Sequence, residues 1–289
     1  MIPEEKKKSL LNLIDHMAEE PLAVAFSGGV DSSLLLRIAA EAAAKRGTII
    51  YAITADTQLH PSCDRQIAEQ VVEQIRKQVE CLCGGGSLQL KHLVYELDEF
   101  AHADIQENPL DRCYRCKRYI FSTMQQEMKK CGVRRIIDGS NADDTREYRP
   151  GLRALKELGI ESPLIACDFS KAEVRELTAA YGLSVASRPS TPCMATRFPY
   201  GTHLTEEALS RVEAAESIIK EYPLYNVRVR VHGNVARIEA DPASMPAFLE
   251  KRELIVRQLK KLGYDYVCLD LEGFRSGSMD IRVKTGESI

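Results

Sequence analysis

The stretch that decides the fold reads Ala23-Val24-Ala25-Phe26-Ser27-Gly28-Gly29-Val30-Asp31-Ser32-Ser33. The apolar run over residues 22–26 has the length and flanks of a buried parallel strand. Residues 34–45 are rich in Leu and Ala, as in a helix. A glycine turn between a strand and a helix directs several backbone N–H groups and a helix N-terminus at one point, and both favour an anion. The stretch therefore predicts an α/β fold with an anion-binding loop.

The side chains of this loop narrow the choice of anion. Gly28 and Gly29 let the backbone approach a ligand closely, and hydroxyl donors come from Ser27, Ser32 and Ser33. A Walker A loop has Lys before its last Ser or Thr, whereas Asp31 stands there in this chain. An aspartate beside bound phosphates requires a cation, which implies Mg²⁺. The string resembles the SGGxDS motif of the PP-loop ATP pyrophosphatases, and a glycine-rich turn without that function is the alternative.

Length and composition restrict the class of protein. The 289 residues fit one large or two modest domains, with 44% hydrophobic and 28% charged residues. A net charge of −3 argues against an extended nucleic-acid surface. No apolar run approaches the roughly 20 residues of a membrane helix, and the charged N-terminus lacks a signal-peptide core. A cytoplasmic protein is therefore expected, and its nine cysteines should be reduced.

The order of predicted elements indicates a parallel sheet with right-handed crossovers, because strands and helices alternate. Further strands are predicted at 48–54, 92–97, 134–137 and 162–165, and helices at 6–19, 62–79, 112–130 and 171–181. Ligands bind at the carboxyl ends of such strands. That rule places the loop after the strand at 134–137, which contains Gly139, Asn141 and Asp144, on the ligand-binding edge.

The pattern changes after residue 200. The segment 187–201 contains three prolines and a terminal glycine, so it is predicted to be a shaped loop and a domain boundary. Helices at 205–222 and 245–262 and strands at 226–232, 236–240 and 266–271 follow, with Gly233-Asn234 as a hairpin turn. The prediction is one domain over residues 1–200 and a smaller α+β domain over residues 201–289.

Three cysteines are candidates for chemistry. Cys113 and Cys116 are three residues apart in the first turn of a predicted helix, where the helix dipole and nearby arginines favour thiolates. Cys193 lies in the proline-rich loop. Inert buried thiols are the alternative for all three. Cys81 and Cys83 could also bind a metal, although loop thiols without a special role are the simpler interpretation.

Two arginines alternate with valines in the predicted strand at 226–232. Arg228 and Arg230 therefore point to the same side of that strand. Two guanidinium groups on one face suit bidentate binding of a phosphate. A solvated strand face explains the same pattern equally well.

Taken together, the strings SGGVDS, NPLDRCYRCK, DGSNADD, YRPGLRA, KAEVREL, CMATRFPYG and VRVRVHGNVARIE resemble the LarE family of PP-loop enzymes over nearly the whole chain. The resemblance implies a Rossmann-like, adenine nucleotide alpha hydrolase-like domain. It also implies an ATP-dependent sulfur transferase in the synthesis of a nickel-pincer nucleotide cofactor. Such an enzyme adenylates a carboxylate of a pyridinium dicarboxylate mononucleotide, and sulfur delivery then gives a thiocarboxylate and AMP. A homo-oligomer is expected.

The resemblance also implies roles for particular residues. Cys113, Cys116 and Cys193 match the three-cysteine version of the family, in which a 4Fe–4S cluster carries the extra sulfide. In the other version one cysteine gives up its sulfur and becomes dehydroalanine. Arg228 and Arg230 match residues that hold the substrate phosphate. Further matched positions near the site are Arg197, Glu216 and Glu239. The roles that the resemblance implies for the two glutamates are metal binding or substrate placement.

Two other functions remain open from the sequence. A tRNA 2-thiolation enzyme of the PP-loop class also pairs a CxxC with a distant cysteine, but commonly adds zinc-binding CxxC pairs and a basic RNA-binding face. A non-catalytic adenine-nucleotide or iron–sulfur binding protein is the second alternative. Turnover of ATP to AMP and pyrophosphate separates this binding protein from both enzymes.

Overall fold

The computed structural model describes residues 2–82, 88–146, 148–222, 226–275 and 277–279. The chain forms two compact units. Unit 1 comprises Met1–Thr57, Ser62–Ala103 and Cys113–Ser190, and unit 2 comprises Gln58–Pro61, Asp104–Arg112 and Thr191–Ile289.

Helices and strands alternate along most of the chain. The helices are α1 (Glu4–Met17), α2 (Val30–Arg46), α3 (Cys63–Leu82), α4 (Glu99–His102), α5 (Arg112–Lys130), α6 (Pro150–Glu157), α7 (Pro163–Ala166), α8 (Lys171–Ala180), α9 (Glu206–Lys220), α10 (Met245–Glu250) and α11 (Arg252–Lys261). The strands are β1 (Leu22–Ala25), β2 (Ile49–Thr57), β3 (Gln89–Leu97), β4 (Arg135–Ile137), β5 (Val227–His232), β6 (Val235–Ala240) and β7 (Tyr266–Leu269).

Unit 1 is built on a parallel sheet in the order β3-β2-β1-β4. Leu22 at the start of β1 is aligned with Ile50 on β2 and with Arg135 on β4. The chain leaves β1 towards β2 on one side and later returns to β4 on the other side. Such a reversal of strand order opens a crevice at the carboxyl ends of the two strands. The loops that follow β1 and β4 are therefore placed to form a ligand site.

Apolar cores cover both faces of this sheet, as expected for a buried parallel strand. Leu22 and Val24 pack in one core with residues of α1, α2, α3 and α8. Ala23, which points the opposite way, packs in a second core with residues of α5 and α6. The predicted α/β fold with a parallel sheet is confirmed.

Unit 2 contains a three-stranded sheet in the order β5-β6-β7. β5 and β6 pair antiparallel, and β6 and β7 pair parallel. The predicted hairpin turn is confirmed, and Gly233 takes a φ of 60° there, a value that favours glycine. The register places Arg228 opposite Glu239 and Arg230 opposite Arg237.

Several predicted elements differ from the structure: α2 begins at Val30 rather than at residue 34, and β3 begins at Gln89 rather than at residue 92. The strand predicted at 162–165 is wrong: these residues form α7, because Pro163 lacks an N–H for a sheet and has a φ suited to the first turn of a helix. The single helix predicted at 245–262 is two helices, α10 and α11, that meet at Lys251. β2 continues through Thr57, beyond its predicted end at residue 54. Cys81 lies in α3, and Cys83 lies outside the described residues.

Candidate functional site

The loop after β1, residues 26–33, is held by its own serines. The Ser27 N–H donates to Ser32 Oγ at 3.3 Å, and the Gly29 N–H donates to Ser27 Oγ at 3.3 Å. Gly28 has a φ of 68°, and a Cβ there would lie 2.9 Å from the backbone of Ala68 on α3. Only glycine fits this position, since both the dihedral and the space exclude a side chain.

Ser33, in the first turn of α2, has a buried hydroxyl. Its side chain is fully buried, and among the described residues its Oγ has no hydrogen-bond partner. A buried hydroxyl without a partner costs about 1–3 kcal/mol. A bound oxyanion would remove that penalty by accepting the hydroxyl hydrogen.

Asp31, in the first turn of α2, is the centre of a polar cluster in unit 1. Asn141 Nδ2 donates to Asp31 Oδ1 at 3.1 Å, and Lys171 Nζ donates to Asp31 Oδ2. Gly139 makes this approach feasible, because a Cβ there would lie 3.0 Å from the Ser32 nitrogen and 3.1 Å from Asp31 Cβ. The structure thus brings Asp31, Gly139 and Asn141 together, as predicted from the carboxyl ends of parallel strands.

Two acidic residues in the loop after β4 support this cluster. Asp144 Oδ2 accepts the Asn141 N–H at 3.0 Å, and Arg149 Nη2 lies 3.1 Å from Asp144 Oδ1. Asp138 is buried and accepts hydrogen bonds from the Ser140 and Ser162 hydroxyls, both at 2.5 Å. Asp144 therefore fixes the backbone of Asn141.

A hydrogen bond from the neighbouring strand β2 fixes the end of β1. Thr54 Oγ1 donates to the Phe26 carbonyl at 2.8 Å, and His92 Nε2 lies 2.8 Å from the same hydroxyl. A hydroxyl has only one hydrogen, so the His92 nitrogen donates here. Burial lowers the pKa of His92, which keeps its ring neutral near pH 7. Together, Thr54 and His92 orient the peptide that begins the loop.

The cysteines of α5 lie in its first turn. Cys113 and Cys116 are both half-buried, and the side chain of Cys116 donates to Glu99 Oε1 at 2.8 Å. Glu99 is fully buried. Cys193 belongs to unit 2, where its carbonyl accepts the Thr196 N–H at 3.0 Å and the Thr196 hydroxyl at 2.8 Å. These bonds fix the backbone that carries the Cys193 thiol.

Unit 2 holds a buried cluster of arginines and glutamates, which we call the arginine cluster: Arg197, Arg228, Arg230, Glu216 and Glu239. Arg197 donates through Nε at 2.8 Å and Nη2 at 3.0 Å to the two oxygens of Glu216. Arg230 donates through Nε at 3.0 Å and Nη2 at 2.8 Å to Glu239 Oε2. The alternative of a solvated strand face is wrong, because Arg228 and Arg230 are each only 5% exposed.

Charge in this cluster is unbalanced. Burial raises the pKa of Glu216, but the Arg197 guanidinium outweighs it and leaves the pKa below its ordinary value. Burial and the neighbouring charge of Arg197 lower the pKa of Arg228 to about 10. Arg237 Nη1 also lies 3.2 Å from Glu239 Oε1, so the guanidinium groups around these two carboxylates outnumber them, and a bound anion would relieve their mutual repulsion.

The Arg197–Glu216 pair leads to a first prediction. Glu216→Gln should destabilise the chain by about 3 kcal/mol, because it leaves the Arg197 charge buried without its counter-charge. Chemical denaturation at pH 7 measures this. The contribution of Glu216 is present above its ordinary pKa of 4.5 and is lost as the pH falls through the lowered value of the folded state. Glu207→Gln, at an exposed position in the same helix, is the control and should cost less than ~1 kcal/mol; equal losses would contradict the prediction.

Within the described ranges, no three His, Cys, Asp or Glu residues lie close enough together to hold a metal ion. No helix among the same residues has the length and apolar character needed to cross a membrane.

Comparisons with known proteins agree with this geometry. The family model of the PP-loop domain matches residues 3–166, which supports the use of ATP. The chain is 34% identical over 275 residues to the pyridinium-3,5-bisthiocarboxylic acid mononucleotide synthase of Lactiplantibacillus plantarum, covering 95% of this chain and 94% of the relative. It is 35% identical over 259 residues to an uncharacterized protein of Synechocystis sp., covering 89% and 91%. An uncharacterized protein of Methanocaldococcus jannaschii is 29% identical over 265 residues. The chain therefore belongs to the LarE family of PP-loop proteins.

Proposed function

We propose that the protein is an ATP-dependent sulfur transferase whose substrate is a pyridinium dicarboxylate mononucleotide. A substrate carboxylate oxygen attacks the α-phosphorus of ATP, the bond to the β-phosphate oxygen breaks, and pyrophosphate leaves. A sulfur nucleophile then attacks the acyl carbon, AMP leaves, and a thiocarboxylate remains. The name of the Lactiplantibacillus relative supports this choice of substrate.

The observation that carries the proposal is that the chain has two sites suited to anions. The loop at 26–33 suits the pyrophosphate of ATP, because Ser33 Oγ is a buried donor that has no partner within the described part of the chain. The arginine cluster suits the phosphate of a mononucleotide, because its buried positive charge exceeds its negative charge. A reaction between two phosphate-bearing molecules needs both.

The chain's own residues supply binding and orientation in this reaction. The backbone N–H groups and serines of the loop hold the β- and γ-phosphates. Asp31 is the carboxylate for Mg²⁺, which when bound neutralises phosphate charge, and Asn141 orients that carboxylate. Arg228 and Arg230 hold the substrate phosphate, while Glu216 and Glu239 keep the arginine side chains in place.

Cys113, Cys116 and Cys193 would hold the 4Fe–4S cluster, which when bound supplies the sulfur. Thiolates are the usual protein ligands of iron–sulfur clusters, and three of them would leave one iron without a protein ligand. The position of Cys113 and Cys116 at a helix start also favours their thiolates. Cys193 Sγ is carried on a backbone that Thr196 holds.

The test of this function is a product assay with iron-reconstituted protein under anaerobic conditions. AMP and pyrophosphate should form only when ATP and the pyridinium mononucleotide are both present, and mass spectrometry should find the thiocarboxylate. AMP formation with tRNA but not with the mononucleotide would instead identify a tRNA 2-thiolation enzyme. No turnover of ATP with either substrate would identify a binding protein.

The proposed phosphate site gives a second prediction. Arg228→Ala should raise the KM for the mononucleotide by roughly 10-fold or more, because one charge-assisted contact is worth about 1.5–3 kcal/mol. The KM for ATP should not change. Arg228 is buried, donates to the Val227 carbonyl at 2.7 Å and lies over the Phe274 ring, so a thermal denaturation curve of the variant must accompany its KM.

Steady-state kinetics with each substrate varied in turn gives both constants. Arg230→Ala should have the same effect on KM but also destabilise the chain, since it removes both Arg230 hydrogen bonds from the buried Glu239 Oε2 and leaves only the contacts at Oε1. The control is Arg252→Ala, whose side chain is 66% exposed. A rise in the KM for ATP with no rise for the mononucleotide would assign the arginines to the nucleotide instead.

A further inference from the structure

Lys171 stands where a metal ion would be expected. Its Nζ donates to Asp31 Oδ2, while Asn141 occupies Asp31 Oδ1. We infer that Lys171 neutralises Asp31 in the nucleotide-free protein, keeps divalent cations off that carboxylate, and moves to the phosphates when ATP arrives with its metal. This inference rests on the proposal that the loop at 26–33 holds ATP.

The backbone of Lys171 is fixed from three sides. Ser170 forms a reciprocal capping box with Glu173 at the start of α8. The Lys171 N–H donates to Asp143 Oδ2 at 2.8 Å, and Glu173 forms an ion pair with Lys6 of α1 at 2.7 Å. Any movement of the Lys171 charge must therefore come from its side chain.

The side chain of Lys171 has the freedom to make that movement. It is 31% exposed, and the side chain of Asp31 is 19% exposed. An ammonium group on a four-carbon stem reorients at little cost, unlike a guanidinium held in a fixed fork. By contrast, the guanidinium of Arg197 is 1% exposed and clamped by two parallel bonds.

Charge decides where Lys171 goes in each state. Without nucleotide, Asp31 is the carboxylate that Lys171 contacts, and the resulting neutral pair offers little to Mg²⁺, which gives up its water reluctantly. The phosphates of ATP bring several negative charges to the adjacent loop. They attract Lys171 and deliver a metal already bound to them, so that Asp31 and the metal come together. The metal should therefore bind with the nucleotide and not before it.

Binding of Mn²⁺ alone, in the absence of nucleotide, tests this order. Equilibrium dialysis followed by elemental analysis measures Mn²⁺ bound per chain. Wild-type protein and Lys171→Arg, which keeps a cation, should bind weakly. Lys171→Met should bind about one additional Mn²⁺ at least ~10-fold more tightly, equal to ~1.4 kcal/mol. The double variant Lys171→Met/Asp31→Asn should lose that site.

Lys6→Met is the matched control. It removes a lysine of α1 that pairs with Glu173 of α8, the helix that carries Lys171, and it leaves the Lys171 contact with Asp31 in place. It should show no additional Mn²⁺ site. The inference is overturned if the wild type binds Mn²⁺ at Asp31 as tightly as Lys171→Met, if Lys171→Met gains no site, or if the gained site survives Asp31→Asn. Failure of the mononucleotide to support AMP formation would overturn the proposed substrate and leave the Mn²⁺ result standing.

Discussion

The double variant Cys113→Ala/Cys116→Ala is expected to lose sulfur transfer completely while it still adenylates the substrate. Both thiols lie in the first turn of α5, where they would provide two of the three ligands of a 4Fe–4S cluster. Without them, Cys193 alone cannot hold the cluster. Loss of the cluster is measured by iron content and by the visible absorption spectrum. The ratio of AMP to thiocarboxylate measures adenylation without sulfur transfer. The control is Cys131→Ala/Cys268→Ala, which removes two exposed thiols.

The competing chemistry predicts different masses. A sacrificed Cys193 would lose hydrogen sulfide, about 34 Da, and would work once per chain, since no step of the thiol oxidation ladder restores it. A cluster enzyme keeps its mass and turns over when it is supplied with sulfide. Dehydroalanine at position 193 after one reaction cycle, or full single-turnover activity in the double variant, would refute the cluster.

Asp31→Ala is expected to slow AMP formation by at least about 100-fold, the effect of removing one preorganised charged group from a reaction site. Asp31 lies within the polar cluster of unit 1 and contacts both Asn141 and Lys171. Its loss removes the carboxylate for the metal and the anchor of Lys171 together. Rapid-quench measurement of AMP from ATP and the mononucleotide gives the rate.

The control for this variant is Asp15→Ala, which removes a half-exposed carboxylate paired with Arg46 in the same unit. Its rate of AMP formation should match that of the wild type. Near wild-type adenylation by Asp31→Ala would mean that the loop at 26–33 binds the pyrophosphate without this carboxylate. A thermal denaturation curve that matches the wild type would ensure that a lost rate does not reflect a lost fold.

Much of the fold could be predicted because the decisive signals are local. The apolar run and glycine turn predicted β1 and a helix after it, and α5 has the predicted bounds, residues 112–130, although α2 begins at Val30 rather than at residue 34. The errors fall where local signals mislead. Residues 162–165 look like a short strand, but Pro163 starts a helix. No glycine or proline marks the break at Lys251, where a φ of −96° and a ψ of 6° separate two helices.

The site was less predictable because its contacts join residues far apart in the chain. Nothing near Lys171 indicates that it faces Asp31; that contact follows from the strand order, which brings the loops after β1 and β4 together. The alternation of Arg228 with valines correctly predicted that Arg228 and Arg230 share one face of the strand. It did not predict that this face is buried. Burial depends on β6, whose register sets Glu239 opposite Arg228.

The contact between Gly28 and Ala68 extends the definition of this nucleotide-binding motif. Where the backbone of Gly28 comes closest to α3, the helix presents a small, fully buried residue, Ala68. A larger side chain at position 68 would displace the loop as surely as a substitution at Gly28 itself, although position 68 carries no chemistry. A library that varies the loop and must preserve ATP binding should therefore vary residues 28 and 68 together.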